Sequence, residues 1–288
     1  MMVKDTIFQK KKNLNCKGKL LDFSTPRIMG ILNLTPDSFY DGGKNKSVSD
    51  AEKKISLMFA EGADIIDIGA VSTRPGAKPA DKKTELSRLI QVMELILKKF
   101  PDKIFSIDTF RADVAKLAVE KYGISIINDI SAGNMDNKMH ETVASLKVPY
   151  IIMHMQGTPE NMQVNPEYKN VTNDTILFFA NKIKELKNYG INDIIIDPGF
   201  GFGKTDEHNY RLMSELDNFK LFENLIMVGI SRKSMINRIL KCDPLDSLNG
   251  TTVLNTVALL KGADILRVHD VKEAKECIAV YNKLSSFN

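Results

Sequence analysis

Polar side chains stand at or just past the ends of eight short apolar runs: Asn33, Ser72-Thr73-Arg74, Asp108, Asn128 with Asp129, His154, Asp197, Ser231-Arg232-Lys233-Ser234, and Arg267 with His269. Any one of them reads equally as a hydrogen-bonded structural residue or a helix N-cap. All eight runs ending this way point to one convergent site. The residue types fall into two groups. Asp108, Asn128, Asp197 and Lys233 suit the edge of a flat heterocycle, because a carboxylate accepts from a pair of N–H groups while amide and ammonium donors meet ring nitrogens and carbonyls. Arg74, Arg267 and His269 suit an anionic group such as a phosphate. Asn33 offers a neutral oxygen to Mg2+, which keeps several waters and takes substrate phosphates as further ligands.

The most distinctive run is Ile194 to Thr205, IIIDPGFGFGKT. Its tail matches the end of a P-loop, but Pro198 occupies the position of the opening glycine and offers no backbone N–H to a phosphate cradle. The acid is the better clue: Asp197 ends a buried strand, and Gly199, Gly201 and Gly203 let the backbone approach a ligand closely. Lys204 is expected to be solvated. His140 and His208 read as surface residues, and His154, between Met153 and Met155, as core packing or pocket lining. No G-x-S-x-G, H-E-x-x-H or catalytic-cysteine arrangement is present.

These positions need a frame, and the chain supplies a repeating one. Candidate strands cover residues 27–34, 64–69, 103–108, 124–129, 150–154, 193–197, 225–230 and 264–269. Between them lie amphipathic stretches such as residues 50–61, with Ile55, Met58 and Phe59 on one face, and residues 173–189, with Ile176, Phe179, Ala180, Ile183 and Leu186. Gly62, Gly123, Gly190 and Gly262 fall where helix C-terminal caps belong. Eight strands apolar on both faces, each followed by a helix, predict an α/β fold of the (β/α)8 TIM-barrel type, with an open doubly wound sheet as the runner-up. Residues 14–23 alternate weakly around Lys17-Gly18-Lys19 and predict a short N-terminal hairpin. The expected organisation is therefore an extension over residues 1–26 and a single barrel domain over residues 27–288.

The 288 residues are 43% apolar and 26% charged, enough for a sizeable core. Forty basic against 36 acidic residues leave a net charge of +4 spread along the chain, which does not suggest a nucleic-acid partner. Cys16, Cys242 and Cys277 lie far apart and suggest neither disulfides nor a zinc site. No apolar run approaches a signal peptide or a membrane span, so a soluble cytoplasmic protein is expected. Residues 35–46 and 72–83 are rich in Pro, Gly and Asp and read as lids, the first with Phe39-Tyr40 at its tip.

With these residues assembled, the chain resembles the dihydropteroate synthases from about Arg27 to Lys283. The resemblance is carried by GILNLTPDSF at Gly30, STRPGA at Ser72, SIDT at Ser106, NDIS at Asn128, MHMQGTPENMQ at Met153, DPGFGFGK at Asp197, SRKS at Ser231 and RVHD at Arg267. It implies a pterin-binding barrel, a transferase of folate synthesis that joins 6-hydroxymethyl-7,8-dihydropterin diphosphate to 4-aminobenzoate, giving 7,8-dihydropteroate and diphosphate. By motif, Asp108, Asn128, Met153, Asp197, Lys233 and Arg267 would hold the pterin. Asn33, Thr73, Arg74, Arg267 and His269 would bind the diphosphate, with Asn33 on Mg2+. Phe39, Thr73, Pro75, Phe202, Lys233 and Ser234 would form the 4-aminobenzoate site. Asp108, Asp197, Lys233, Arg267 and His269 would act in catalysis.

The resemblance further implies a homodimer and sulfonamides as mimics of 4-aminobenzoate. Val71 departs from the family, which often has an acid there, and touches no assigned role. Two other readings remain. A folate-dependent methyltransferase would share the pocket acids without needing the anion group, and a non-catalytic pterin-binding protein would bind the diphosphate without turnover.

Overall fold

The computed structural model describes residues 13–34, 44–72 and 79–287. An antiparallel hairpin, β1 (Asn13–Cys16) and β2 (Lys19–Asp22), precedes eight strands: β3 (Arg27–Asn33), β4 (Ile65–Gly69), β5 (Ile104–Asp108), β6 (Ile126–Asp129), β7 (Tyr150–Met153), β8 (Ile194–Asp197), β9 (Leu225–Val228) and β10 (Ile265–Val268). The eight pair in parallel and close as β10-β3-β4-β5-β6-β7-β8-β9. The expected barrel and hairpin are both present, and the open sheet is not.

The two-residue period of each strand sorts its side chains into layers. One set faces out: Ile28, Leu32, Ile66, Ile68, Phe105, Ile107, Ile152 and Ile196 are buried against the helices. Met29, Ile65, Ile126, Ile151, Ile195, Leu225, Met227 and Ile265 form a separate apolar cluster that fills the lower barrel interior. Leu14, Cys16, Leu21 and Phe23 of the hairpin segment join that cluster, so the hairpin covers the N-terminal end of the barrel. Each such side chain removed from water contributes about 1.5–3 kcal/mol before ordering entropy is counted. Lys17 ties the hairpin down by donating to Val119 O at 2.7 Å.

The expectation of strands apolar on both faces needs correction. It holds for the lower layer only. Higher up, Asp67, Ser106, Asp108, Asn128 and Asp197 occupy positions in step with the inward apolar residues of the same strands and are all buried or half-buried. A barrel closed by apolar packing at its N-terminal end can place polar groups at the other end, where a ligand or water satisfies them.

Helix Val171–Asn188 begins at Asn170, whose side chain accepts from Asn173 N–H at 3.0 Å. Helix Lys44–Glu61 starts earlier than its apolar pattern suggests. Gly62, Gly123, Gly190 and Gly262 all take positive φ after helices, as expected of caps. Two histidines sit differently from expectation. His140 is buried, with Nε2 at 3.0 Å from Ala132 O and Nδ1 at 3.2 Å from Glu185. His208 is half-buried and completes a capping box with Thr205 at the start of helix Asp206–Ser214. His140 meets Glu185, a group brought near by folding, whereas the partner of His208 is three residues away in its own helix cap.

Candidate active site

Strand register brings the predicted residues to one level. Asn33 pairs with Gly69, Gly69 with Asp108, and Asp108 with Asn128; on the far side Met153 pairs with Asp197. Gly69 keeps this level open. A Cβ there would lie 3.5 Å from Asp108 Oδ2 and 3.6 Å from Asn33 Oδ1.

At the centre stands Asp67, fully buried, from the middle of β4. Its Oδ2 accepts from Arg267 Nε at 2.8 Å and from Asn128 Nδ2 at 2.8 Å, and lies 2.7 Å from a terminal nitrogen of Arg267. That same terminal nitrogen donates to Asp108 Oδ2 at 2.9 Å. One guanidinium thus bridges two carboxylates across the barrel. Burial pushes Asp108 up to about 7, with Arg267 opposing and Asp67 reinforcing the rise. Arg267 is held above its ordinary value although burial opposes this, because Asp67 and Asp108 favour its charge.

Asp67 was missed by the sequence reading, which looked for chemistry at strand ends. Its signal was present in the inward set Ile65, Asp67, Gly69: an acid in mid-strand on the buried face. Asp67 Oδ1 and Ser106 Oγ, on register-paired residues, are buried without a hydrogen-bond partner among the described residues.

On the opposite wall, Asp197 Oδ1 accepts the Gly199 N–H at 2.8 Å. Burial raises its pKa, and Lys233 and that N–H oppose the rise. The Lys233 ammonium donates to Phe200 O and sits 4.8 Å above the Phe202 ring. Burial lowers it to about 8, with Asp197 pulling back. Phe110, Ile130 and Met153 form an apolar cluster, with Val71, Met155 and Phe202 against it. The site therefore combines a charged wall with an apolar one, which suits a flat polar ring.

Of the remaining candidates, Ser231 Oγ accepts the His269 backbone N–H at 3.2 Å. His269 is exposed at the rim, where partial burial of the ring and then Arg267 lower it to about 4, a shift that solvent screens. Ser234 is exposed at the start of helix Ser234–Leu240, for which Lys233 is the N-cap. Arg232 holds structure: it forks onto Asp270 at 2.9 and 2.7 Å and donates to Pro244 O and Leu245 O at 2.8 and 2.6 Å. Asp129 is also structural, accepting from Ser131, Gly133 and Tyr150. His154 is buried, as its apolar neighbours suggested. Phe39, Thr73, Arg74 and Pro75, and with them residues 35–43 and 73–78 of the two expected lids, lie outside the described residues.

Lys204 contradicts expectation outright. It is 1% exposed, folded beneath its own loop against His154. The alternating glycines allow the turn back that hides it, and a charge in a polar stretch carries no sign of that path.

Comparisons with known proteins converge on one family. A family model described as pterin binding enzyme matches residues 29–269. The dihydropteroate synthase of Escherichia coli (strain K12) is 43% identical over 269 residues, covering 93% of this chain and 94% of the relative. A Yersinia pestis dihydropteroate synthase solved with a sulfonamide drug superposes with a TM-score of 0.89 at 39% identity, covering 95% of this chain and 99% of that one. The Xanthomonas albilineans dihydropteroate synthase solved with 4-aminobenzoic acid gives a TM-score of 0.88 at 35% identity, covering 95% of this chain and 98% of that one.

Proposed function

The chain belongs to the dihydropteroate synthase family of pterin-binding enzymes, and from that premise we propose that it joins 6-hydroxymethyl-7,8-dihydropterin diphosphate to 4-aminobenzoate. The observation that carries this reading is the Asp67–Arg267–Asp108–Asn128 network, buried at Asp67 and Asn128 and half-buried at Arg267 and Asp108, on the barrel wall opposite Asp197 and Lys233. Such a wall is complementary to the donors and acceptors on a pterin edge.

Asp108, Asn128, Asp197 and Lys233 read the heterocycle, Met153 lines it, and Arg267 packs on the ring. Arg267 and His269, with Thr73 and Arg74, hold the diphosphate. His269 donates an imidazole N–H to it. Phe39, Thr73, Pro75 and Phe202 surround 4-aminobenzoate, and Lys233 and Ser234 meet its carboxylate. In the reaction the amine lone pair forms the new C–N bond to the pterin methylene carbon, the C–O bond to diphosphate breaks with its electron pair leaving on the diphosphate oxygen, and the amine nitrogen gives up one proton to water. The side chains act by positioning and by charge: Arg267 and Arg74 stabilise the leaving diphosphate, while Asp108 and Asp197 favour positive charge growing on the pterin.

Asn33 Oδ1 beside Asp108 is a single neutral oxygen, and among the described residues no group of three or more His, Cys, Asp or Glu could hold a metal ion. That donor set fits Mg2+ taking its other ligands from diphosphate and water. Asn33 would hold the ion, which would neutralise charge on the diphosphate.

We also place the protein in the cytoplasm as a homodimer. Free thiols at Cys16, Cys242 and Cys277 support a reducing compartment, and among the described residues no helix is long and apolar enough to cross a membrane. The dimer is supported by Val253, Leu260, Val280 and Leu284, exposed apolar residues on the packed helices Leu248–Leu260 and Val271–Ser285.

The test is diphosphate release that requires both substrates and Mg2+ and is inhibited by sulfonamides in competition with 4-aminobenzoate. A folded preparation without turnover overturns the reading. Asp197→Ala is expected to weaken pterin binding about a hundredfold, and Ser234→Ala to raise the 4-aminobenzoate KM about three- to tenfold. Normal pterin affinity in Asp197→Ala removes the role given to that acid.

A further inference from the structure

Lys204 has no part in the reaction proposed above, yet its ammonium is almost completely buried. Its Nζ lies 2.9 Å from Gly199 O, 3.1 Å from Phe202 O, 3.2 Å from His154 O and 3.0 Å from His154 Nδ1. The three carbonyl oxygens can only accept. Burial pulls the Lys204 pKa down to about 7 against the attraction of Asp197, but a neutral amine has two N–H bonds and would turn its lone pair toward one of these oxygens, whereas an ammonium spreads three donors over the four partners. His154 then accepts at Nδ1 and carries its proton on Nε2. Burial, and then the Lys204 charge, hold that ring well below the ordinary histidine pKa, so it stays neutral.

The loop that Lys204 closes lies unusually near the exit of β7. A Cβ on Gly199 would stand 2.0 Å from His154 O, and one on Gly203 would stand 2.6 Å from Gln156 O. Both glycines are at positive φ, +73° and +61°. Several carbonyls converging on one buried point repel one another unless a cation sits among them. The same loop carries the pterin wall: Gly199 N–H donates to Asp197, Phe200 O accepts from Lys233, and the Phe202 ring lies beneath the Lys233 ammonium. Among the charges around the site, that of Lys204 favours ionisation of Asp197, as those of Lys233 and Arg267 do.

We infer that Lys204 is a positioning residue of the pterin site: its ammonium draws the carbonyls of His154, Gly199 and Phe202 together, and so sets Asp197, Lys233 and Phe202 in place before substrate arrives. This rests on the function proposed above. It assigns the buried end of the glycine-rich run a role that contact with substrate does not explain.

The test uses the full chain with Lys204→Met and Lys204→Arg, reading KM for each substrate, kcat, melting temperature and amide exchange. Lys204→Met is expected to raise the pterin KM about ten- to a hundredfold, with Lys204→Arg recovering part of the loss. A merely structural lysine would lower the melting temperature and leave the pterin KM of the folded enzyme unchanged, which overturns the inference. Should Lys204→Met not fold, amide exchange in the wild-type protein decides. Gly199, Gly201 and Phe202 donate their N–H groups within the preset loop, to Asp197, Asn209 and Gly199 O. Protection of these amides without substrate supports the inference, and fast exchange that slows only when the pterin diphosphate is added overturns it. Wild-type turnover separates the two levels. No diphosphate release by the wild type defeats the proposed function, whereas normal wild-type turnover with an unchanged pterin KM in Lys204→Met defeats this inference alone.

Discussion

Asp67 sets two proposed ligand-binding groups through one oxygen, since both Arg267 and Asn128 donate to its Oδ2. Removing its charge leaves a buried guanidinium with Asp108 as its remaining carboxylate partner. Asp67→Asn is therefore expected to cost about 2–4 kcal/mol in denaturant unfolding and at least about tenfold in kcat/KM. Wild-type values for both would mean the network is not needed. Asp108 gives a pH dependence. Its folded pKa of about 7 lies above the unfolded value near 4, so its contribution to stability is fully present below about pH 4 and is lost as pH rises through about 7. A pterin donating N–H groups to the ionised carboxylate is favoured in the opposite direction. Calorimetric affinity is expected to increase between about pH 6 and about pH 8, and Asp108→Asn to flatten that rise.

At the scale of elements, each βα unit divides its work. The strand's lower end packs, the upper end of most strands presents a polar group while that of β7 presents Met153, and the following loop supplies the groups around it. The loop after β8 makes this testable through its glycines. Gly199 combines positive φ with a backbone oxygen 2.0 Å from any Cβ, so Gly199→Ala must move the main chain. Its expected cost is about 3 kcal/mol or more in stability, together with loss of pterin affinity. Gly18, in the hairpin turn, has positive φ but nothing within 4 Å of a Cβ. Gly18→Ala is expected to cost only about 1 kcal/mol and to leave turnover unchanged. Thermal unfolding of the two variants side by side measures the difference, and equal costs would remove the close approach as its cause.

For the whole molecule, the closed barrel confines the described site residues to a single chain, while the outer helices retain an apolar face. A stable interface buries about 1,200–2,000 Å² in total, and pairing copies through the Val253–Val280 face is the dimer we propose. Sedimentation is expected to give twice the 32.3 kDa chain mass. The double variant Val253→Glu/Val280→Glu is expected to give monomers with kcat/KM within about threefold of wild type, because like charges facing one another across the interface disfavour pairing. A wild-type monomer at micromolar concentration would overturn the dimer.

The sequence alone determined the repeating βα pattern, whose count of eight favours the barrel over an open sheet, and the structure decided its closure. Short apolar runs, helical spacing and glycine caps are local properties that survive without knowledge of contacts. It also marked Asp108, Asn128, Asp197, Lys233 and Arg267 as members of one site, because parallel strands in a closed barrel bring their C-terminal ends together. What only the tertiary structure decided was direction and partnership. Asn128 faces the barrel interior while its neighbour Asp129 ties down a turn, and within SRKS Lys233 faces the site while Arg232 grips Asp270. Asp67 gained its importance from Arg267, 200 residues away. Lys204, written into a polar glycine-rich run, was placed under that run by carbonyl oxygens from two strands' loops. Residue type and spacing say which groups a chain carries, but a buried charge is defined by the partners that surround it, and those come from distant segments that meet only on folding.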